Sequence, residues 1–235
     1  MSRHFIDAIL SAPTPVIMEI KKRSAHGEDL LQDRSLPEII ADYHALGAPC
    51  LSVVTGRWFG GSDEMLRDAA RLTRLPILQK DFITKESQVI RARAMGASAI
   101  LLTAQILPRT LLQRLIGISL RHGLTPFVEV VSEEELNAIV HAEDCVVAVN
   151  NKDIRQRERD RGNVNRSLSL LSSTWRTGTR CPVSASGIDT PEVAAQLITA
   201  GFKGLLIGTG LLRAERLESW MSDFARHRHA RGGAQ

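Results

Sequence analysis

Short apolar runs in this chain repeatedly break off at a charged, amide or small polar side chain. Val16-Ile17-Met18 runs into Glu19-Ile20-Lys21, Leu75-Pro76-Ile77-Leu78 into Gln79-Lys80-Asp81, and Thr125-Pro126-Phe127-Val128 into Glu129. Val146-Val147-Ala148-Val149 ends in Asn150-Asn151, Pro182-Val183 in Ser184-Ala185-Ser186-Gly187, and Leu205-Leu206-Ile207 in Gly208-Thr209. Runs of this length, separated by helical patterns, are the mark of parallel strands buried on both faces. A (β/α)8 barrel assembles one active site from polar groups at the C-terminal ends of many strands. The pattern therefore predicts an enzyme and says where its site lies.

Strands are expected near 15–20, 49–54, 76–79, 98–102, 125–130, 145–149, 181–185 and 204–207. Helices are expected between them, at 36–46, 63–72, 86–95, 108–121, 133–141, 166–173, 191–200 and 214–226. Gly47, Gly96, Gly123 and Gly201 stand where a left-handed cap would stop a helix. Ser35, Ser62, Ser132 and Thr190 stand as N-caps, each followed by proline or acidic residues in the first turn. Eight β–α units without a break in composition predict one α/β domain over 1–235, a (β/α)8 TIM barrel. A short helical segment is expected within 1–14, and the basic tail 227–235 is expected to be disordered. No GxGxxG follows the first strand and no P-loop occurs, which argues against an open nucleotide-binding sheet. The loops after strands one, two and six are long and should form the mouth.

Composition narrows the class of function. No apolar stretch approaches the roughly 18 residues needed to cross a bilayer, and the N-terminus lacks the sections of a signal peptide. The cytosol is the expected compartment, with no membrane partner. Cys50, Cys145 and Cys181 form no CxxC or Cys/His cluster and read as small core hydrophobes, so no metal site is expected. A net charge of +4 favours anionic partners. Much of the excess lies in Arg155, Arg157, Arg159 and Arg161 and in the tail. No aromatic residues interleave with these arginines, so a phosphorylated small molecule is the expected partner rather than nucleic acid.

Individual strand ends carry the chemistry. Glu19 and Lys21 lie two apart and so point to one side of a strand, where an acid and an ammonium can serve in proton transfer. Lys80, flanked by Phe82 and Ile83, suits proton donation. Glu129 sits inside an apolar run, where a carboxylate is costly without a purpose. Asn150 and Asn151 end strand six and can hydrogen-bond a substrate hydroxyl or carboxylate. Ser186-Gly187-Ile188 and Gly208-Thr209-Gly210 precede helices after strands seven and eight, where barrels often bind phosphate on backbone N–H groups.

Taken together, these residues make the chain resemble the indole-3-glycerol phosphate synthase family, from about Phe5 to Arg213. The resemblance is carried by Ile17-Met18-Glu19-Ile20-Lys21-Lys22-Arg23-Ser24, by Leu51-Ser52-Val53-Val54-Thr55 with Trp58-Phe59-Gly60-Gly61-Ser62, and by Lys80-Asp81-Phe82-Ile83 with Lys85-Glu86-Ser87-Gln88. Val128-Glu129-Val130, Val149-Asn150-Asn151-Lys152-Asp153, Ser186-Gly187-Ile188 and Leu206-Ile207-Gly208 complete it. The resemblance implies closure of the indole ring of 1-(2-carboxyphenylamino)-1-deoxyribulose 5-phosphate, with loss of carbon dioxide and water and no cofactor or metal. It implies catalytic positions at Glu19, Lys21, Lys80, Glu129, Asn150 and Ser186. Substrate contacts are implied at Ser24, Phe59, Phe82, Lys152, Gly187, Gly208 and Thr209. A pathway partner enzyme is a further implication.

The chain departs from the family pattern at several points. Ala185 stands where the strand-seven pattern has a glutamate between two serines, and Lys152 stands for an arginine, losing a planar fork. Ala25-His26 replaces Pro-Ser, Gly210 replaces a common serine, 155–165 is arginine-rich, and the N-terminal extension is mostly absent before Phe5. These departures keep two alternatives open: a paralogue acting on a substituted anthranilate-derived or related arylamino sugar phosphate, and a catalytically impaired barrel that binds a phosphate ligand.

Overall fold

Eight short parallel strands close on themselves in sequence order: β1 (Val16–Ile20), β2 (Leu51–Val54), β3 (Ile77–Lys80), β4 (Ala99–Thr103), β5 (Thr125–Val130), β6 (Val146–Asn150), β7 (Cys181–Ala185) and β8 (Gly204–Ile207). The computed structural model describes residues 4–154 and 162–232, with side chains as far as residue 230. Every strand residue is buried, as expected for a sheet covered by helices outside and filled by side chains inside. The expected (β/α)8 barrel is the observed fold.

The helices are α1 (His4–Ser11), α2 (Leu36–Ala45), α3 (Asp63–Leu72), α4 (Glu86–Ala94), α5 (Arg109–Arg121), α6 (Glu133–Leu136), α7 (Asn165–Arg176), α8 (Pro191–Ala200), α9 (Thr209–Leu212) and α10 (Leu217–Gly232). Local chemistry starts and stops them. Ser35 and Glu38 form a reciprocal capping box on α2, and the hydroxyls of Ser62, Ser132 and Thr190 cap α3, α6 and α8. Gly47 and Gly123 take φ of 75° and 70° just past α2 and α5, a conformation a side chain would disfavour.

Strand alternation divides the apolar residues into two layers. Residues such as Met18, Val53, Ile100, Val128, Val147, Leu205 and Ile207 face the helices. Ile17, Leu78, Leu101, Phe127, Ala148, Val183 and Leu206 fill the barrel interior. α1 closes the end opposite the site: Phe5, Ile6 and Ile9 join the inner cluster, and Phe5 meets Phe127 edge-on at 6.5 Å. The three cysteines are buried and unpaired, and burial pushes the thiols of Cys145 and Cys181 up to about 12. They behave as the expected core hydrophobes.

Three expectations need correction. The helix expected over 133–141 stops at Leu136; further on, His141 turns left-handed (φ 53°) and a 3-10 turn at Ala142–Asp144 leads into β6. The last expected helix, 214–226, is α10 at Leu217–Gly232, and a short helix that was not expected, α9, precedes it directly after β8. The basic tail is not disordered from residue 227, since α10 continues to Gly232. It is tied down by the His227 Nε2–Glu192 Oε1 contact (2.9 Å) to α8 and by Arg228 donating to the Pro13 carbonyl. The arginines at 155, 157, 159 and 161 lie outside the described residues. No described helix is long and apolar enough to cross a membrane.

Candidate active site

At the C-terminal mouth, β1, β3 and β5 bring three charged side chains together. Lys80 Nζ lies 3.3 Å from Glu19 Oε2 and 3.8 Å from Glu129 Oε1. All three are buried, Glu19 at 3%, Lys80 at 8% and Glu129 at 1% exposure. Charges so far out of water are costly unless paired and hydrogen-bonded, and this group is both. Ser52 Oγ donates to Glu19 Oε2 (3.4 Å), and Asn150 Nδ2 donates to Glu129 Oε2 (3.2 Å). The barrel register sets this up: Glu19 pairs with Ser52, Lys80 with Val54 and Glu129 with Ala148 on neighbouring strands.

Lys21 falls just past β1, and its ammonium rests 4.1 Å from the centre of the Phe59 ring, a cation–π contact. Glu19 and Lys21 line the same cavity, as their spacing predicts. The backbone beyond Asn150 is held in turn. Asn150 Oδ1 accepts from Lys152 N (2.9 Å), while Arg166 Nη1 donates to the carbonyls of Asn150 (2.7 Å) and Lys152 (3.2 Å).

Two cavities open from this cluster and share Lys21 and Lys80. The first, about 290 Å³, runs over the turns after β7 and β8, with Ser24, Lys152, Ser186, Gly187, Gly208 and Thr209 in its wall. It is rich in cations and in small residues whose backbone an anion can approach. The second, about 200 Å³, is mostly apolar, walled by Trp58, Phe59, Phe82, Leu101 and Ile154. Trp58 and Phe82 meet edge-on at 6.4 Å. The Phe82 loop is set by Thr55 Oγ1 donating to Asp81 Oδ2 (2.9 Å) and by Phe82 N donating to Asp81 Oδ1 (2.8 Å).

Every residue named above as a catalytic or substrate-binding candidate falls in the central cluster or on these two walls, with one correction. Asn151 faces away from the mouth and bonds to strand seven, because neighbouring strand positions point to opposite faces. Arg213 and His26 are additions. Arg213 binds both carboxylate oxygens of Glu28, with its Nε 3.2 and 3.1 Å away, and so ties the loop after β1 to the end of α9. That hydrogen bond is the main reason the Glu28 carboxyl is held below its usual range and the Arg213 guanidinium above its own. Nothing in the sequence around Arg213 separates it from an ordinary surface arginine.

Two departures from the family pattern acquire a geometry. Ala185 is fully buried in the inner cluster, beside Asn150 of β6 and Leu206 of β8. Gly210 has no room for a side chain as it stands: a Cβ there would sit 2.6 Å from the Ile188 carbonyl. Among the described residues no group of three or more His, Cys, Asp or Glu side chains is placed to hold a metal.

Fold and site define a (β/α)8 barrel whose mouth joins a cation-lined cavity to an aromatic pocket through a buried cluster of ammonium and carboxylate groups. The family model for indole-3-glycerol phosphate synthase matches residues 1–224. The indole-3-glycerol phosphate synthase of Chloroherpeton thalassium is 39% identical over 213 residues, which cover 89% of this chain and 79% of that protein. That of Pyrococcus furiosus is 35% identical over 211 residues, covering 89% and 91%. Tryptophan synthase subunit alpha from Legionella pneumophila str. Paris shares the fold, with a TM-score of 0.63 at 13% identity over 92% of each chain. The chain belongs to the indole-3-glycerol phosphate synthase family and is a carboxy-lyase of that type, with a phosphorylated small molecule as substrate.

Proposed function

We propose that this site closes the indole ring of 1-(2-carboxyphenylamino)-1-deoxyribulose 5-phosphate, releasing carbon dioxide and water. The observation that carries the reading is the Lys80 ammonium, held between Glu19 and Glu129 where the anion cavity meets the aromatic one. A phosphate in the first cavity and an aryl ring in the second would bring the ketone of the linking sugar chain to Lys80. Lys80 gives its proton to the ketone oxygen as the ring carbon bearing the carboxylate attacks the carbonyl carbon. Loss of carbon dioxide returns its bonding electrons to the ring and restores aromaticity. The new hydroxyl then leaves as water, protonated by one member of a second acid–base pair drawn from Lys21, Glu19 and Glu129, while the other takes a proton from the adjacent CH2 carbon and the C–H electrons form the indole double bond. Asn150 orients Glu129, and Ser186 lines the first cavity. Ser24, Gly187, Gly208 and Thr209 hold the phosphate, Lys152 adds charge to that wall, and Phe59 and Phe82 hold the aryl ring. Tryptophan or indole-derived biosynthesis in the cytosol, beside a pathway partner enzyme, is the setting this reading brings with it.

Ala185 tests whether the missing strand-seven carboxylate matters. The cluster already holds two carboxylates and two lysines around one reaction centre. Wild type is expected to release indole product at a rate within about tenfold of Ala185→Glu, the scale of about 1.4 kcal/mol in barrier. The variant is expected to lose about 1–3 kcal/mol of stability from an acid buried without a built partner. Fluorescence of the indole product and thermal melts read both. A silent wild type beside an active Ala185→Glu would point instead to a barrel that binds its ligand without turning it over.

A further inference from the structure

The turn after β7 contains a feature that needs explanation. Ser186 and Gly187 are consecutive left-handed residues, with φ of 66° and 65°. Glycine adopts that conformation freely, but serine does so at a cost in backbone energy. Something must hold Ser186 there, and the contacts converge on one buried side chain. Asn151 Nδ2 donates to the Ser186 carbonyl (3.0 Å), the Ala185 carbonyl (3.2 Å) and Ser184 Oγ (3.0 Å). Its backbone N also donates to Ala185 O (2.9 Å). On the other side Asn151 Oδ1 accepts from Ser167 N (3.2 Å) and Ser167 Oγ (2.8 Å). Because a backbone N–H can only donate, the Ser167 contact fixes which end of the amide is oxygen, so Nδ2 must face the carbonyls. Asn151 and Ser167 have no exposed surface. The chain returning after β6 closes over the same point: Asn163 N donates to Asn151 O (2.8 Å), and a Cβ on Gly162 would lie 3.1 Å from the Gly187 Cα.

We propose that Asn151 is a positioning residue for anion binding: it touches no ligand, but its amide clamps the end of β7 and holds the Ser186–Gly187 turn in the shape that lines the anion cavity. The proposal rests on the reading of that turn as the phosphate cradle. Asn150 and Asn151 then divide the work of one dipeptide. Asn150 points into the barrel and orients Glu129, whereas Asn151 points outward and shapes the phosphate wall.

Asn151→Asp tests this, because it keeps the size of the side chain and places an oxygen against two carbonyls. Inorganic phosphate is the probe, titrated by calorimetry and as a competitive inhibitor, so that the turn is read without turnover. Phosphate affinity and the substrate KM are each expected to worsen about tenfold or more, with kcat changed less than about threefold, since a lost buried hydrogen bond is worth about one power of ten. Asn150→Asp should do the reverse, lowering kcat and sparing phosphate affinity. Ser167→Ala leaves Asn151 in place but removes a support, and should weaken phosphate by about threefold with an unchanged circular dichroism spectrum. This milder variant decides the matter if Asn151→Asp does not fold. Adding Ser186→Gly to Asn151→Asp should restore part of the phosphate affinity, because glycine holds the left-handed turn without a clamp. Phosphate affinity equal to wild type in a folded Asn151→Asp, or in Ser167→Ala if the aspartate does not fold, would overturn the proposal while leaving the ring-closure reading intact. A wild type that binds no phosphate would overturn both.

Discussion

Lys80→Met should abolish most turnover, lowering kcat by about 10²–10⁴, the usual contribution of a positioned proton donor. Lys80 touches both buried carboxylates and borders both cavities. On the proposed mechanism its removal takes the proton donor from the ketone, and it leaves Glu19 and Glu129 without the ammonium between them. Breaking a buried ion pair from one side costs about 3–5 kcal/mol, and for a chain of this size a loss of that order lowers the melting temperature by about 10 °C. Lys80→Arg separates the two effects. Arginine keeps the positive charge, and so most of the stability, but it does not give up a proton at neutral pH. Its kcat should therefore fall nearly as far as that of the methionine variant. A kcat within threefold of wild type in either variant would show that Lys80 is not the proton donor.

Gly208→Ala is expected to lower kcat by about 10², the effect of moving a catalytic group by about an ångström. Gly208 has a φ of −115°, so a left-handed turn is not what calls for glycine here. The space above it does. A Cβ at that position would lie 2.4 Å from Glu19 Oε1, 3.0 Å from Cδ and 3.2 Å from Cβ. Three atoms of one buried side chain are crowded at once, so rotating the carboxylate alone does not clear the contact. Glu19 must swing off Lys80 and Ser52, and the proton-transfer group comes apart. Overpacking of this kind also costs about 1–3 kcal/mol. If Gly208 served only to let phosphate approach the backbone, KM would rise and kcat would stay, which steady-state kinetics distinguishes directly.

The sequence made the barrel and the central cluster legible for a common reason. Parallel strands buried on both faces are continuous apolar runs, so each interruption by Lys80, Glu129 or Asn150 stands out and falls at the same end of the fold. What escaped were contacts between distant strands and choices of face. Gly208 looks like any phosphate-turn glycine, because its contact with Glu19 crosses the seam between β8 and β1. Asn151 reads with Asn150 as a substrate contact, although alternation along a strand argues that adjacent residues cannot both face the mouth. Arg213 acquires its place only through Glu28, in a loop 185 residues away. The basic tail reads as frayed by composition, yet α10 runs through it and His227 and Arg228 contact distant residues.

Formation of the indole ring is the measurement on which the reading of this site depends. Wild-type protein, supplied with 1-(2-carboxyphenylamino)-1-deoxyribulose 5-phosphate and no added metal or cofactor, should release one carbon dioxide for each indole chromophore formed, over many turnovers, with Lys80→Met as the inactive control. Folded wild-type protein that binds this substrate but yields no indole chromophore, even at enzyme concentrations equal to substrate, would contradict it.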